Sequence, residues 1–227
     1  MRSGVIILCR YSSNRLPGKI LLEINDKSIL QYIIERLAPL GQSNVVVATS
    51  TESSDDTIAT FCTTWNIPVF RGDLNDVAQR FLDCACHFGF DYAVRINGDN
   101  LFTDAELICK LVGIAEKEGY EFVSNVQGRT FPIGMSVEVV KVNKYATMIS
   151  KFNEDKYHEH VTLYFYEHPS SIKAFFVRNE EMPSAAGIHL AIDEQADIHQ
   201  AETLLNKMDK PHTAYSWKEI INLLQQT

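Results

Sequence analysis

Gly4-Val5-Ile6-Ile7-Leu8-Cys9-Arg10-Tyr11-Ser12-Ser13-Asn14-Arg15-Leu16-Pro17-Gly18-Lys19 changes character halfway along, and that change decides how the rest is read. Gly4–Cys9 is a short apolar run, the pattern of a buried strand. Arg10–Lys19 is polar, contains Pro17 and Gly18, and reads as a loop leaving that strand. Strand-like and helix-like segments then alternate. Ser28–Leu40 sets Ile29, Ile33, Ile34, Leu37 and Leu40 at helical spacing, with Ser28 as N-cap. Val45–Thr49 reads as a second strand, and Ser53–Asp56 as the cap of a helix reaching Trp65. Ile67–Phe70 reads as a strand, Asn75–Phe88 as a helix and Asp91–Ile96 as a strand. Thr103–Glu118 reads as a helix capped by Thr103 with Glu106 at its third position, and Glu121–Asn125 as a strand. This alternation predicts the α/β class, with a mostly parallel sheet sandwiched by helices.

After Asn125 the pattern changes. Phe131–Met135 reads as a turn into a strand over Ser136–Val140. Lys144–Ser150 and Lys156–Glu167 read as helices, and Ile172–Val177 and Ile188–Ile192 as strands. Gln195–Met208 and Trp217–Gln226 close the chain as helices. With no linker and no internal repeat, a single domain over residues 1–227 is expected, in which about 126–185 extends the sheet and covers the site.

The bulk numbers narrow the function. The chain has 227 residues, 45% of them hydrophobic, with 21 basic and 29 acidic residues and a net charge of −8. Such an acidic chain is a poor binder of nucleic acid, though a local basic loop can still hold a nucleotide. Apolar runs such as Val5–Cys9 and Val45–Ala48 are too short to span a bilayer, and no secretory signal is expected. Cys9, Cys62, Cys84, Cys86 and Cys109 are odd in number and lack zinc-finger spacing. Buried, reduced thiols in a cytoplasmic protein are expected.

In a parallel sheet the ligand sits outside the carboxyl ends of the strands, so the loops leaving them carry the chemistry. Arg10, Arg15 and Lys19 give the first loop three cations, and Ser13 adds a hydroxyl, a set suited to a polyphosphate. The spacing is not that of a Walker A loop. Asp99, in Asn97-Gly98-Asp99-Asn100, is placed either to hold a hard cation or to shape a turn. Asp193 precedes a helix and is either an N-cap or a second metal carboxylate. Asp76 and Arg80 either begin a helix and face solvent, or read the base and close on the substrate. His158 and His160 do not share a helix face, so His158-Glu159-His160 contacts substrate or packs, and does not bind zinc.

Taken together these residues resemble a known family. Cys9-Arg10-x-x-Ser13-x-Arg15-Leu16-Pro17-Gly18-Lys19 is similar to the signature of sugar-acid cytidylyltransferases, nearest the spore-coat polysaccharide biosynthesis protein F-like branch, which is related to CMP-Kdo and CMP-sialic acid synthetases. Phe70-Arg71-Gly72 with Asp76-Val77-x-x-Arg80-Phe81 resembles that branch. So do Arg95-x-x-Gly98-Asp99, Phe131-Pro132-x-Gly134 with Val137-Glu138-Val139, Glu159-His160-Val161-Thr162, and Asp193-Glu194-x-x-Asp197. The resemblance implies a glycosyltransferase-A-like, Rossmann-like nucleotidyltransferase fold. It implies transfer of CMP from CTP to a small anionic acceptor, with release of pyrophosphate. It places Arg10, Ser13, Arg15 and Lys19 on the triphosphate and Asp99 and Asp193 on Mg2+. Arg15, Lys19, Asp99 and Asp193 are then the expected catalytic residues. Asp76, Arg80 and Asn97 join the nucleotide-binding set, and Glu138, His158, Glu159, His160 and His189 form the expected acceptor site, with 126–185 on the acceptor side.

Three departures stand out. Leu101 replaces a proline after the metal loop, and His158 and His189 stand where arginine is expected. They fall outside the phosphate loop, so change is expected in the acceptor pocket. A glycosyltransferase on the same fold is the first alternative, though Asp99-Asn100 supplies no Asp-x-Asp motif. A non-catalytic nucleotide-binding protein is the second. CTP and the acceptor are the expected partners, with no nucleic acid, no membrane insertion, and a homodimer left open.

Overall fold

The computed structural model describes residues 1–13 and 15–226. In chain order its strands are β1 (Ser3–Leu8), β2 (Glu23–Ile24), β3 (Lys27–Ser28), β4 (Val45–Ser50), β5 (Val69–Gly72), β6 (Tyr92–Asn97), β7 (Phe122–Ser124), β8 (Glu138–Lys141) and β9 (Ala174–Phe176). Its helices are α1 (Ile29–Leu37), α2 (Asp56–Thr64), α3 (Val77–His87), α4 (Ala105–Glu118), α5 (Val142–Met148), α6 (Asp155–Glu159), α7 (Leu163–Glu167), α8 (Gln195–Asn206) and α9 (Trp217–Gln225). One sheet runs β5-β4-β1-β6-β8-β7-β9, and β2 and β3 form a small hairpin. β5, β4, β1 and β6 are parallel; β8 runs antiparallel to both β6 and β7, and β9 is parallel to β7.

The apolar runs of β1 and β4 are needed because helices cover both faces of the sheet. Val5, Ile7, Val45, Val47, Val94 and Ile96 pack on one side with α1, α4, α8 and α9. Ile6, Leu8, Val46, Ala48 and Ala93 pack on the other with α3, α5, α6 and α7. Each fully buried Ile or Val contributes about 1.5–3 kcal/mol relative to exposure. The register sets Ile7 beside Val47 on one neighbour and Ile96 on the other, so the ends of β1, β4 and β6 lie together. From β1 the chain steps outward through β4 and β5, while β6 lies on the other side of β1. That reversal opens a crevice at the strand ends.

Several local expectations are corrected. Ile188–Ile192 is not a strand. It makes one isolated parallel bridge, His189 to Ile133, through Ile133 N–H to Ile188 O (2.8 Å) and Leu190 N–H to Ile133 O (2.8 Å). Its neighbours are a turn and the loop at Asp99, so no ladder can extend. The helix expected over Lys156–Glu167 is two short helices, broken at His160 (φ −102°, ψ 74°). There Val161 is buried and the Thr162 hydroxyl is spent on Glu138. Asp104, not Thr103, caps α4, accepting from Leu107 N–H (2.8 Å). Asp55 precedes α2 but makes no capping bond. Cys9, Cys62 and Cys84 are buried free thiols, with burial pushing Cys62 and Cys84 up to about 12. Cys86 and Cys109 are exposed, against expectation. Among the described residues no helix is long and apolar enough to cross a membrane.

The C-terminal segment is fastened where α4 begins. Besides capping α4, the buried Asp104 carboxylate accepts from Trp217 N–H (2.8 Å) at the start of α9. The buried Arg36 guanidinium donates to the carbonyls of Thr103 and Tyr215 (2.6 and 2.9 Å) and to that of His212. Asp104→Ala removes a cap and leaves a buried N–H without a partner. It is expected to lower stability by about 2–4 kcal/mol, read as a fall in urea midpoint with unchanged m-value.

Candidate active site

The loop after β1 owes its shape to one carboxylate. Asp55, fully buried, accepts from Tyr11 N–H (2.6 Å), Thr49 Oγ1 (2.8 Å), Ser50 N–H (2.9 Å) and Ser50 Oγ (2.5 Å). Burial alone would raise its pKa, but these donors hold it below the usual carboxylate range. The loop thereby hangs from the end of β4. Its far end is closed by Gly18, whose N–H donates to Tyr11 O (2.8 Å). Gly18 sits at φ +70°, a conformation glycine adopts without strain.

Lys19 emerges from this turn into the crevice. Its Nζ donates to Asp99 Oδ2 (3.0 Å), Ile192 O (2.7 Å) and Asp193 Oδ1 (3.3 Å). Arg15 reaches the same Asp193 oxygen at 2.8 Å. The Asp99 and Asp193 loops are tied by Ile192 N–H to Asp99 O (2.9 Å). Gly98 lets the loops approach: a Cβ there would lie 2.5 Å from Ile20 Cδ1 and 2.8 Å from Cys9 Cβ. Glu194, rather than Asp193, caps α8, in a reciprocal capping box with Asp197. Asp197 also accepts from Asp193 N–H (2.7 Å), which leaves the Asp193 carboxylate to face Lys19 and Arg15.

These groups line a cleft of about 430 Å³ that also holds Arg10, Ser13, Arg80, Arg95, Asn97, Glu159 and His160. Arg80, from α3, is buried and donates to Asp73 O (2.6 Å). No carboxylate pairs with it among the described residues, and its Nε has no partner. Cys9 also lines the cleft, and burial pushes its thiol above the ordinary range, which disfavours the thiolate.

Arg95 carries no assigned role in the sequence reading. It stands in β6 opposite Glu138 of β8, and the two form an ion pair. The clue was available: an arginine and a glutamate, each inside an otherwise apolar strand, must be paired to be buried. Glu138 also accepts from Thr162 Oγ1 (2.6 Å) and Tyr166 OH (2.7 Å). Burial would raise Glu138, but Arg95 and the two hydroxyls hold it below the carboxylate range. Burial would lower Arg95, and Glu138 more than restores it.

The remaining expected residues lie elsewhere. Asp76 caps α3, accepting from Gln79 N–H (2.9 Å), and its other oxygen meets His158 Nδ1 at 2.9 Å. The second ring nitrogen of His158 lies 2.9 Å from Phe152 O. Both residues are outside the cleft lining, as is His189, which is exposed with Nε2 3.7 Å from Asp193 Oδ2. Leu101 is fully buried, so the departure from proline is filled by core packing.

The donor set bears on a metal. Among the described residues no group of three or more His, Cys, Asp or Glu converges. The Asp99 and Asp193 oxygens do converge, both within reach of one ammonium. Two carboxylates fit a hard cation that takes its other ligands from water and phosphate.

A mostly parallel, helix-flanked sheet with a cation-rich loop after its first strand defines a Rossmann-like nucleotidyltransferase. The family model for cytidylyltransferases matches residues 4–221, and the chain belongs to that family, whose members are CTP-dependent nucleotidyltransferases. It is similar to the uncharacterized protein MJ1063 of Methanocaldococcus jannaschii, 35% identical over 194 residues, spanning 85% of this chain and 79% of that one. It is similar to the spore coat polysaccharide biosynthesis protein SpsF of Bacillus subtilis, 31% identical over 231 residues, spanning 97% and 93%. A cytidylyltransferase structure from Leptospira borgpetersenii superposes with a TM-score of 0.91 at 30% identity, covering 100% of this chain and 94% of that one.

The His158–Asp76 pair gives a pH prediction. The Asp76 hydrogen bond, with Phe152 O and the nearby Asp155 charge, raises the His158 pKa above 6.5, its ordinary value in an unfolded chain. The stability it adds is therefore complete below pH 6.5 and lost as pH rises through the folded pKa. The stability gap between wild type and His158→Gln should be widest near pH ~6 and shrink at more alkaline pH. Thermal melts across that range check it; a constant gap refutes it.

Proposed function

We propose that this enzyme transfers CMP from CTP to a small anionic acceptor, a sugar acid, sugar phosphate or phosphonate, and releases pyrophosphate in building a surface polysaccharide or glycoconjugate. The observation that carries this is the convergence of Lys19 and Arg15 on Asp99 and Asp193 at the mouth of a cation-lined cleft. A polyphosphate brings the charge that such a cluster of cations is built to meet, and the similarity to SpsF supports the pathway.

In this reading Arg10, Ser13, Arg15 and Lys19 hold the triphosphate, and Arg80 and Asn97 complete the nucleotide side of the cleft. Asp76 contributes by fixing the start of α3, from which Arg80 projects. Residues 126–185 form the acceptor side, with Glu159 and His160 on its wall. Asp99 and Asp193 would hold Mg2+, which when bound neutralises phosphate charge and favours a nucleophilic oxygen. The acceptor oxygen attacks the α-phosphorus in line, and pyrophosphate leaves with its charge met by Lys19 and Arg15. The protein's contribution is positioning and preorganised charge rather than covalent chemistry. An acceptor phosphate or phosphonate oxygen is already deprotonated and needs no general base.

Pyrophosphate release, measured with magnesium and each of four nucleoside triphosphates against a panel of such acceptors, should be seen with CTP. Release of a nucleoside diphosphate from a nucleotide sugar would point instead to a glycosyltransferase. Asp99→Asn and Asp193→Asn should each cut turnover at least about a hundredfold, and near-normal rates in both would remove them from the chemistry. Lys19→Ala should weaken CTP binding more than CMP binding, because the contact is to the outer phosphates; equal losses by calorimetry would refute it.

A further inference from the structure

Among the described arginines of the cleft wall, Arg95 is the one paired with a carboxylate that lies outside the lining. Glu138 faces it across the β6–β8 pair and is itself buried, with one oxygen on Arg95 and the other accepting from Thr162 Oγ1 and Tyr166 OH. Tyr166 OH is in turn 2.5 Å from Ser124 Oγ on β7. Both Glu138 oxygens are thus engaged by protein donors, and Glu138 is absent from the cleft lining, whereas Arg95 is part of it. Arg95 uses Nη1 on Glu138, while its Nε is shut off from solvent with no partner. An unpaired buried donor is costly, and it marks a guanidinium whose donors the protein does not all meet.

The groups that orient Arg95 sit at Ser124, Glu138, Thr162 and Tyr166, all C-terminal to β6. Those that shape the triphosphate loop, Thr49, Ser50 and Asp55, belong to the opposite side of β1. The crevice is thus served by two separately supported cationic walls. We infer that Arg95 is the residue that grips the acceptor's carboxylate, phosphate or phosphonate, and that Glu138, with Thr162 and Tyr166, is a positioning residue that touches no substrate. This rests on the cytidylyltransferase reading above and assigns its acceptor-recognising group. An arginine fixed by a buried carboxylate presents its remaining donors in one plane, suited to two oxygens of an oxyanion.

The test needs no knowledge of the natural acceptor. Methylphosphonate and D-glucuronate are titrated, by saturation-transfer NMR, into protein already saturated with CTP, while calorimetry records CTP affinity in the same samples. Wild type should bind at least one probe. Arg95→Gln should lose roughly ten- to a hundredfold in affinity for that probe with CTP affinity held within about twofold. Glu138→Gln should show the same split with a smaller loss, and Tyr166→Phe serves if that variant folds poorly. A merely structural pair would lower both affinities together or neither. The inference is overturned if wild type with CTP bound takes up neither probe, if Arg95→Gln binds the probe as wild type does, or if the substitution weakens CTP as much as the probe. Failure of wild type to bind CTP at all would instead overturn the functional reading beneath it, and this inference with it.

Discussion

One ammonium group organises the cleft end of the molecule. Lys19 Nζ bonds to Asp99, Asp193 and the carbonyl of Ile192, so it joins the loop after β1, the loop after β6 and the start of α8. Without it two carboxylates would face each other across a partly enclosed cleft, and like charges at such range repel. Arg15 adds a second cation on Asp193. The strands can only bring these loops close; this charge balance decides how they settle. The backbone accommodates it through Gly98, where a side chain would meet Ile20 and Cys9.

Much of this was legible in the sequence because it obeys local rules. Strand β1 announces itself by five consecutive apolar residues, and α1 by its spacing and the Ser28 cap, which accepts from Gln31 N–H. The loop after β1 stood out by charge density, and the structure gathers Arg10, Ser13, Arg15, Lys19, Asn97, Asp99 and Asp193 around one cleft. What escaped depends on partners far away in sequence. Asp55 looked like a helix cap because Asp before a helix usually is one; its actual partners include Tyr11, 44 positions earlier. Ile188–Ile192 has the composition of a strand but no strand beside it. Glu138 looked like a ligand group, and only tertiary structure gives it three protein donors.

The part of the chain beyond β6 is built differently from the part before it. The sheet from β5 to β6 is parallel and covered by α1 to α4, whereas beyond β6 the strands are shorter and mixed in direction, and the helices α5 to α7 are brief. Aromatic side chains carry that packing: Phe122, Tyr145, Phe152 and Phe165 meet edge-on or tilted at 5.2–6.4 Å. Large rings fill space that short elements leave, and they hold the Glu138 network in a dry setting. The departure at His158 belongs here as well, since its ring braces α3 against the turn at Phe152 rather than reaching into the cleft.

The bond from Lys19 to Asp193 joins residues 174 positions apart. During synthesis a chain emerges from its N-terminus at about 5–20 residues per second. The loop after β1 is therefore outside the ribosome well before its carboxylate partner at residue 193 exists. Until residue 193 is made, only one of the two carboxylates that Lys19 contacts in the fold, Asp99, is present. Closure of this charge cluster is thus a late event in the life of each molecule, dependent on the segment that leads into α8.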